Sequence, residues 1–98
     1  MTDEPVVTVE DVRQFLRAVL ELGQGQPKGY AKNTDIAQHM GLDPSGLDPK
    51  NPVTKDSRLY RRVATNCAAK RYITATDLYR DVAITPKGER YLAGGYAA

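Results

Sequence analysis

Lys55, Arg58, Arg62 and Thr65 follow one another at steps of three or four residues, with Arg61 next to Arg62. A helix advances about 100° per residue, so this spacing gathers all five within about 60° of Arg58. Leu59, Tyr60, Val63, Ala64 and Cys67 fall on the other side, while the small Ala69 shares the cationic face. Guanidinium groups in such a row donate paired hydrogen bonds to adjacent acceptors, as phosphate oxygens or guanine O6 and N7 provide. The chemistry implied is recognition of a polyanion, with an ordinary solvated helix face as the plain alternative.

Covalent chemistry has no comparable support. Cys67 lies on the apolar side of the same helix, which makes it a buried thiol rather than a nucleophile. His39 is the single histidine and has no Cys, Glu or second His at ligand spacing, so it reads as an exposed polar residue. The loop "GQGQPKG" is rich in glycine but follows a helix and lacks a phosphate-loop spacing, so it reads as a connector. No catalytic residue, metal or cofactor is expected, and the chain is not expected to be an enzyme.

The chain has 98 residues, 41% of them apolar and 27% charged, which suits one small domain. No apolar run reaches the length of about 18 residues that a membrane span needs. The start "MTDEPVV" is acidic and does not resemble a signal peptide. A lone cysteine cannot form an internal disulfide, and a cytoplasmic location is expected. The net charge of +2 is unevenly spread. Residues 53–72 carry Lys55, Arg58, Arg61, Arg62, Lys70 and Arg71 against Asp56 alone. Residues 1–26 are acidic, with Asp3, Glu4, Glu10, Asp11 and Glu21 against Arg13 and Arg17.

Several elements must position the basic row. Thr8 and Asp11 form a capping-box pattern ahead of a helix over 9–22. Its stripe of Val12, Phe15, Leu16, Val19 and Leu20 reads first as core and second as a dimer surface, a role the C-terminal helix shares. "YAK" predicts a very short strand. "NTDIAQHMGL" predicts a second helix capped by Asn33 or Thr34, with Ile36, Ala37 and Met40 inward. The loop 41–52 contains Gly-Leu-Asp-Pro twice and is expected to be turn-rich, held to the core by Leu42 and Leu47. The basic helix is expected over 53–71, opened by Asn51 and Pro52 or by Thr54. A hairpin over 72–84 follows, with its turn near Thr76 and Asp77 and its return strand over 78–84. In "DVAITPKGERYL", Thr85 and Pro86 then start a helix over 86–92 with no intervening loop. Residues 1–7 and 94–98 are expected to be tails.

Three segments, "NTDIAQHMGL", "SRLYRRVATNCAAKRYI" and "AITPKGERYL", together resemble the winged helix-turn-helix family. The last looks like the strand-to-helix junction that closes the wing in MarR-like and PadR-like regulators. The resemblance covers most of residues 9–93. It implies an α+β fold over residues 8–93: a three-helix core, a β-hairpin wing and a short C-terminal helix. It also implies sequence-specific binding of double-stranded DNA by a small transcriptional regulator, with helix 53–71 in the major groove. In that role Arg58 and Arg62 would meet base edges, and Lys55, Arg61 and Thr65 phosphates or base edges. Lys32 and Thr34 would hold a phosphate at the start of the second helix, and Arg80 would touch the backbone from the wing. A homodimer on two half-sites is expected, because one such module has a small interface.

Two features depart from the family pattern. The link between helices two and three is roughly ten residues, where a helix-turn-helix uses three or four. Asp77 and Asp81 place acid on the wing, which opposes phosphates. The alternative function is a winged-helix adaptor that docks on an acidic protein partner.

Overall fold

The computed structural model describes residues 6–26 and 28–94, so most of the expected tails at 1–7 and 94–98 lies outside the described residues. The first helix, α1 (Val9–Gly23), begins at the Thr8 capping box. Asp11 N–H donates to Thr8 Oγ1 (3.1 Å), and Thr8 N–H donates back to the Asp11 carboxylate (3.0 Å). Val12, Phe15, Leu16, Ala18 and Val19 are buried, and α1 packs against every other helix of the chain and against the hairpin's return strand. Most of its apolar stripe is therefore packed in the chain's own core, with Leu20 partly buried.

The strand β1 (Ala31–Lys32) leads directly into α2 (Asn33–His39). Lys32, not Asn33 or Thr34, is the cap residue of α2, and its side chain makes no capping bond. Asn33 N–H is drawn into a bond with the Arg80 carbonyl (2.8 Å), which places Asn33 in the first turn. Its side-chain oxygen then accepts from Thr34 N–H (2.7 Å). Ile36 and Ala37 are buried as expected, and Met40 packs partly against the core. The following loop is not wholly extended. A 3-10 turn at Ser45–Leu47 buries Leu47 in the core, with Leu42 packed against it.

The helix α3 (Lys55–Ala69) takes the second of the two expected starts, at the Thr54 cap, and ends two residues before the expected 71. Thr54 is extended and closes a capping box with Ser57, in which Ser57 N–H donates to Thr54 Oγ1 (3.1 Å) and Thr54 N–H to Ser57 Oγ (2.9 Å). At the other end Arg71 takes the left-handed conformation (φ 63°) that usually falls to glycine. Tyr72 N–H then reaches the Cys67 carbonyl (2.9 Å) and Arg71 N–H the Ala68 carbonyl (3.0 Å), the paired bonds of a Schellman stop.

Strands β2 (Ile73–Ala75) and β3 (Asp81–Ile84) form the hairpin, and β1 pairs with the free side of β3. All pairs are antiparallel, with Ala31 opposite Val82 and Ile73 opposite Ile84. The return strand begins at Asp81 and not at Leu78, because residues Asp77–Tyr79 form a 3-10 turn. Leu78 (φ 59°) and Tyr79 (φ 54°) are both left-handed, a conformation that costs about 1–3 kcal/mol for each side-chain-bearing residue. Thr76 N–H donates to the Asp81 carbonyl and Asp81 N–H to Thr76 Oγ1, which closes the turn.

The final helix, α4 (Pro86–Leu92), starts where β3 ends. Thr85 makes the junction rigid with three hydrogen bonds. Its N–H donates to the Tyr72 carbonyl (2.9 Å), its hydroxyl donates to the Arg71 carbonyl (2.7 Å), and that oxygen accepts from Gly88 N–H (3.1 Å). The backbone of α4 thus lies directly on the end of α3. A Cβ at Gly88 would collide with the Tyr72 carbonyl and the Ile84 side chain, so only glycine fits there. The whole is a small α+β domain of four helices and one three-stranded antiparallel sheet among the described residues.

Gly88→Ala is expected to destabilise the domain by about 1–3 kcal/mol, because backbone must shift to admit one methyl. Urea unfolding measures this, and an unchanged midpoint would contradict the close packing of α4 on the Tyr72 carbonyl.

Candidate nucleic-acid interface

Burial along α3 follows its helical period. Ser57, Tyr60, Val63, Ala64 and Cys67 are buried, with Leu59 packed partly against them. Lys55, Arg58, Arg62, Thr65 and Ala69 are exposed on the other side. Arg61 is the exception within the expected row. It is only half exposed, and its Nε is enclosed without a hydrogen-bond partner. Arg61 stands at the edge of the cationic face, next to the line of Ser57 and Ala64, so its stem is drawn against the protein. Four residues of the row thus form the open face.

The acid of this segment is turned to structural use. Asp56 lies in the first turn of α3, where a carboxylate complements the helix dipole. Its carboxylate accepts from Asp43 N–H (2.8 Å), which ties the long loop to α3. Ser57, a buried residue that hydropathy does not mark, serves the capping box and packs close to Gly46 of the 3-10 turn.

Lys32, Thr34 and Arg80 form a second set at a different place. Lys32 lies opposite Asp81 on the β1 edge of the sheet, and the Asn33–Arg80 backbone bond holds the two segments together. The helix α3 packs instead on β2, on the 3-10 turn at Ser45–Leu47 and on the hairpin turn. Lys32 and Arg80 are exposed, whereas Thr34 is half-buried and its N–H is taken by Asn33. The start of α2 therefore offers less to an anion than the residue types suggest.

The surroundings of Cys67, Tyr60 and Asp43 shift their titration. Burial pushes the Cys67 thiol up to about 12, with nearby Lys70 pulling weakly the other way. Burial also raises Tyr60, helped by the negative charge of Asp81. Hydrogen bonds from the Ser45 backbone and hydroxyl lower Asp43. His39 Nε2 lies 2.9 Å from Glu21 Oε1 and joins α2 to α1 across the exposed surface, a pairing that no local sequence signal announces. Among the described residues no group of His, Cys, Asp and Glu is placed to hold a metal ion. None of their helices is long and apolar enough to cross a membrane.

Family models, curated proteins and solved structures yield no match to this chain.

A thiol held near 12 when folded, against an ordinary 9.0, keeps its proton while the unfolded chain loses it. Folding stability should then fall as pH rises from about 9 towards 12, by up to about 1.4 kcal/mol per pH unit from this group. Comparing urea midpoints at pH about 8 and about 10.5 should show a shallower fall in Cys67→Ala than in the wild type. Equal falls would contradict the buried thiol.

Proposed function

We propose that this domain is a winged helix that binds double-stranded DNA sequence-specifically, as a small cytoplasmic transcriptional regulator. The observation that carries the reading is the exposed row of Lys55, Arg58, Arg62 and Thr65 on α3, opposite its buried side. A single α-helix fits the major groove, and arginine there pairs with guanine O6 and N7. Arg58 and Arg62, one turn apart, meet base edges. Lys55 and Thr65 hold phosphates, with the head of Arg61 at the margin. The element order supports the same reading, since a strand before α2 joins the outer side of a hairpin that follows α3. One module of this size gains useful specificity as a homodimer on two half-sites.

The helix-turn-helix part is unusual. The 3-10 turn at Ser45–Leu47 packs on both α2 and α3 and fills the place of a short turn between them. Lys32, Thr34 and Arg80 are assigned supporting backbone contacts only. A second reading, an adaptor for an acidic protein partner, is favoured by the hairpin tip. There Asp77 and Asp81 flank a leucine, Leu78, that is 65% exposed.

The test is the double variant Arg58→Ala/Arg62→Ala. It should fold like the wild type, since both side chains are exposed. Each lost base pairing costs about 1–3 kcal/mol, so affinity for a selected site should fall by about 2–6 kcal/mol. Wild-type affinity in a folded double variant would remove α3 from the interface.

A further inference from the structure

The tip of the hairpin is a projection with a matching recess beside it. Among the described residues Leu78 is the most exposed large apolar side chain after Val6, and it is held out by the left-handed backbone of residues 78 and 79. The turn is not loose. Tyr79 N–H donates to the Thr76 carbonyl, Arg80 N–H to the Asp77 carbonyl, and the Tyr60 hydroxyl to the Tyr79 carbonyl. Asp77, beside Leu78, is exposed. An exposed leucine on a rigid, acidic tip is unsuited to a phosphate-lined groove and suited to an apolar socket with basic walls.

Such a socket lies on the same surface. A hollow of about 600 Å³ is lined by Gln26, Lys28, Tyr30, Lys32, Thr76 and Asp81. Tyr30 supplies a half-buried apolar ring, and Lys28 and Lys32 supply exposed positive charge against the single acid Asp81. A second hollow under the tip is lined by Thr76, Asp77, Leu78, Arg80 and Asp81. The two share Thr76 and Asp81, so knob and socket stand side by side. A patch that carries both halves of a complementary pair is what a two-fold dimer needs, because each copy gives what the other receives.

We propose that the chain pairs with a second copy of itself through this surface, with Leu78 of each copy seated on Tyr30 of the other and Asp77 facing Lys28 and Lys32. This names the surface of the homodimer proposed above, and to that extent rests on it. It needs no DNA and uses residues other than the α3 row; Lys32, given a supporting DNA contact above, faces the second copy here instead.

Sedimentation equilibrium of the full chain without DNA tests it. Leu78→Gly deletes the knob and also relieves the left-handed strain, so a lost dimer cannot be blamed on misfolding. The wild type should show a concentration-dependent dimer, and Leu78→Gly and Asp77→Lys should each weaken it by about tenfold or more. Asp77→Lys combined with Lys28→Asp and Lys32→Asp should recover it. A wild type that stays monomeric throughout overturns the proposal, as does a Leu78→Gly variant that dimerises normally. A charge-swapped variant that fails to recover overturns this surface. If Leu78→Gly leaves self-association intact but weakens duplex binding, the tip is a wedge for DNA and the proposal falls. A wild type that dimerises but does not bind duplex DNA would instead count against the α3 reading alone.

Discussion

The orientation of α3 rests on Tyr60. Its ring is fully buried and meets Phe15 of α1 edge-on, at 5.6 Å between centroids and 62° between planes. Its hydroxyl crosses to the hairpin and donates to the Tyr79 carbonyl at 3.0 Å. A buried hydroxyl without a partner costs free energy on the order of 1–3 kcal/mol, so the bond fixes both the ring and the turn it reaches. One side chain thus joins α1, α3 and the hairpin. A rotation of α3 that turned Arg58 or Arg62 inward would pull this tyrosine off both partners. The cationic face is outward because the opposite face is occupied.

The far end of α3 is fixed by a different device. The Schellman stop at Arg71 turns the chain into β2, and Thr85 returns to the same place with bonds to the Arg71 and Tyr72 carbonyls. Tyr72 also stacks on Tyr91 of α4 at 4.6 Å, with the Lys87 ammonium 5.7 Å from the Tyr72 ring centre. Gly88 permits this closeness. The base of the hairpin and the ends of α3 and α4 therefore form one knot, while Tyr60 holds the hairpin's tip. A helix held at both ends is a firm support for a row of side chains that must meet fixed partners.

Much of this was legible in the residues. The two faces of α3 follow from a period of 3.6, and the buried set matches the apolar side of "SRLYRRVATNCAAK". The Thr8 and Thr85 caps and the Pro86 start were readable because capping is local chemistry. The hairpin turn was not. Left-handed backbone is usually announced by glycine or asparagine, and "RYITATDLYR" contains neither, so Arg71, Leu78 and Tyr79 gave no warning. The pairing of β1 with β3 joins residues distant in sequence, and two-residue strands carry no period to read. Arg61 shows the limit of a wheel: at the margin of a face, neighbouring packing decides exposure.

The most direct measurement is fluorescence anisotropy of the wild-type chain on random-sequence duplex DNA across a range of salt concentrations. Phosphate contacts release counterions, so the three exposed cations of α3, Lys55, Arg58 and Arg62, would give a log–log slope on the order of −3. Binding at low salt with a slope of that steepness is expected. A folded protein that does not bind duplex DNA at low salt, or binds without salt dependence, would contradict the α3 reading.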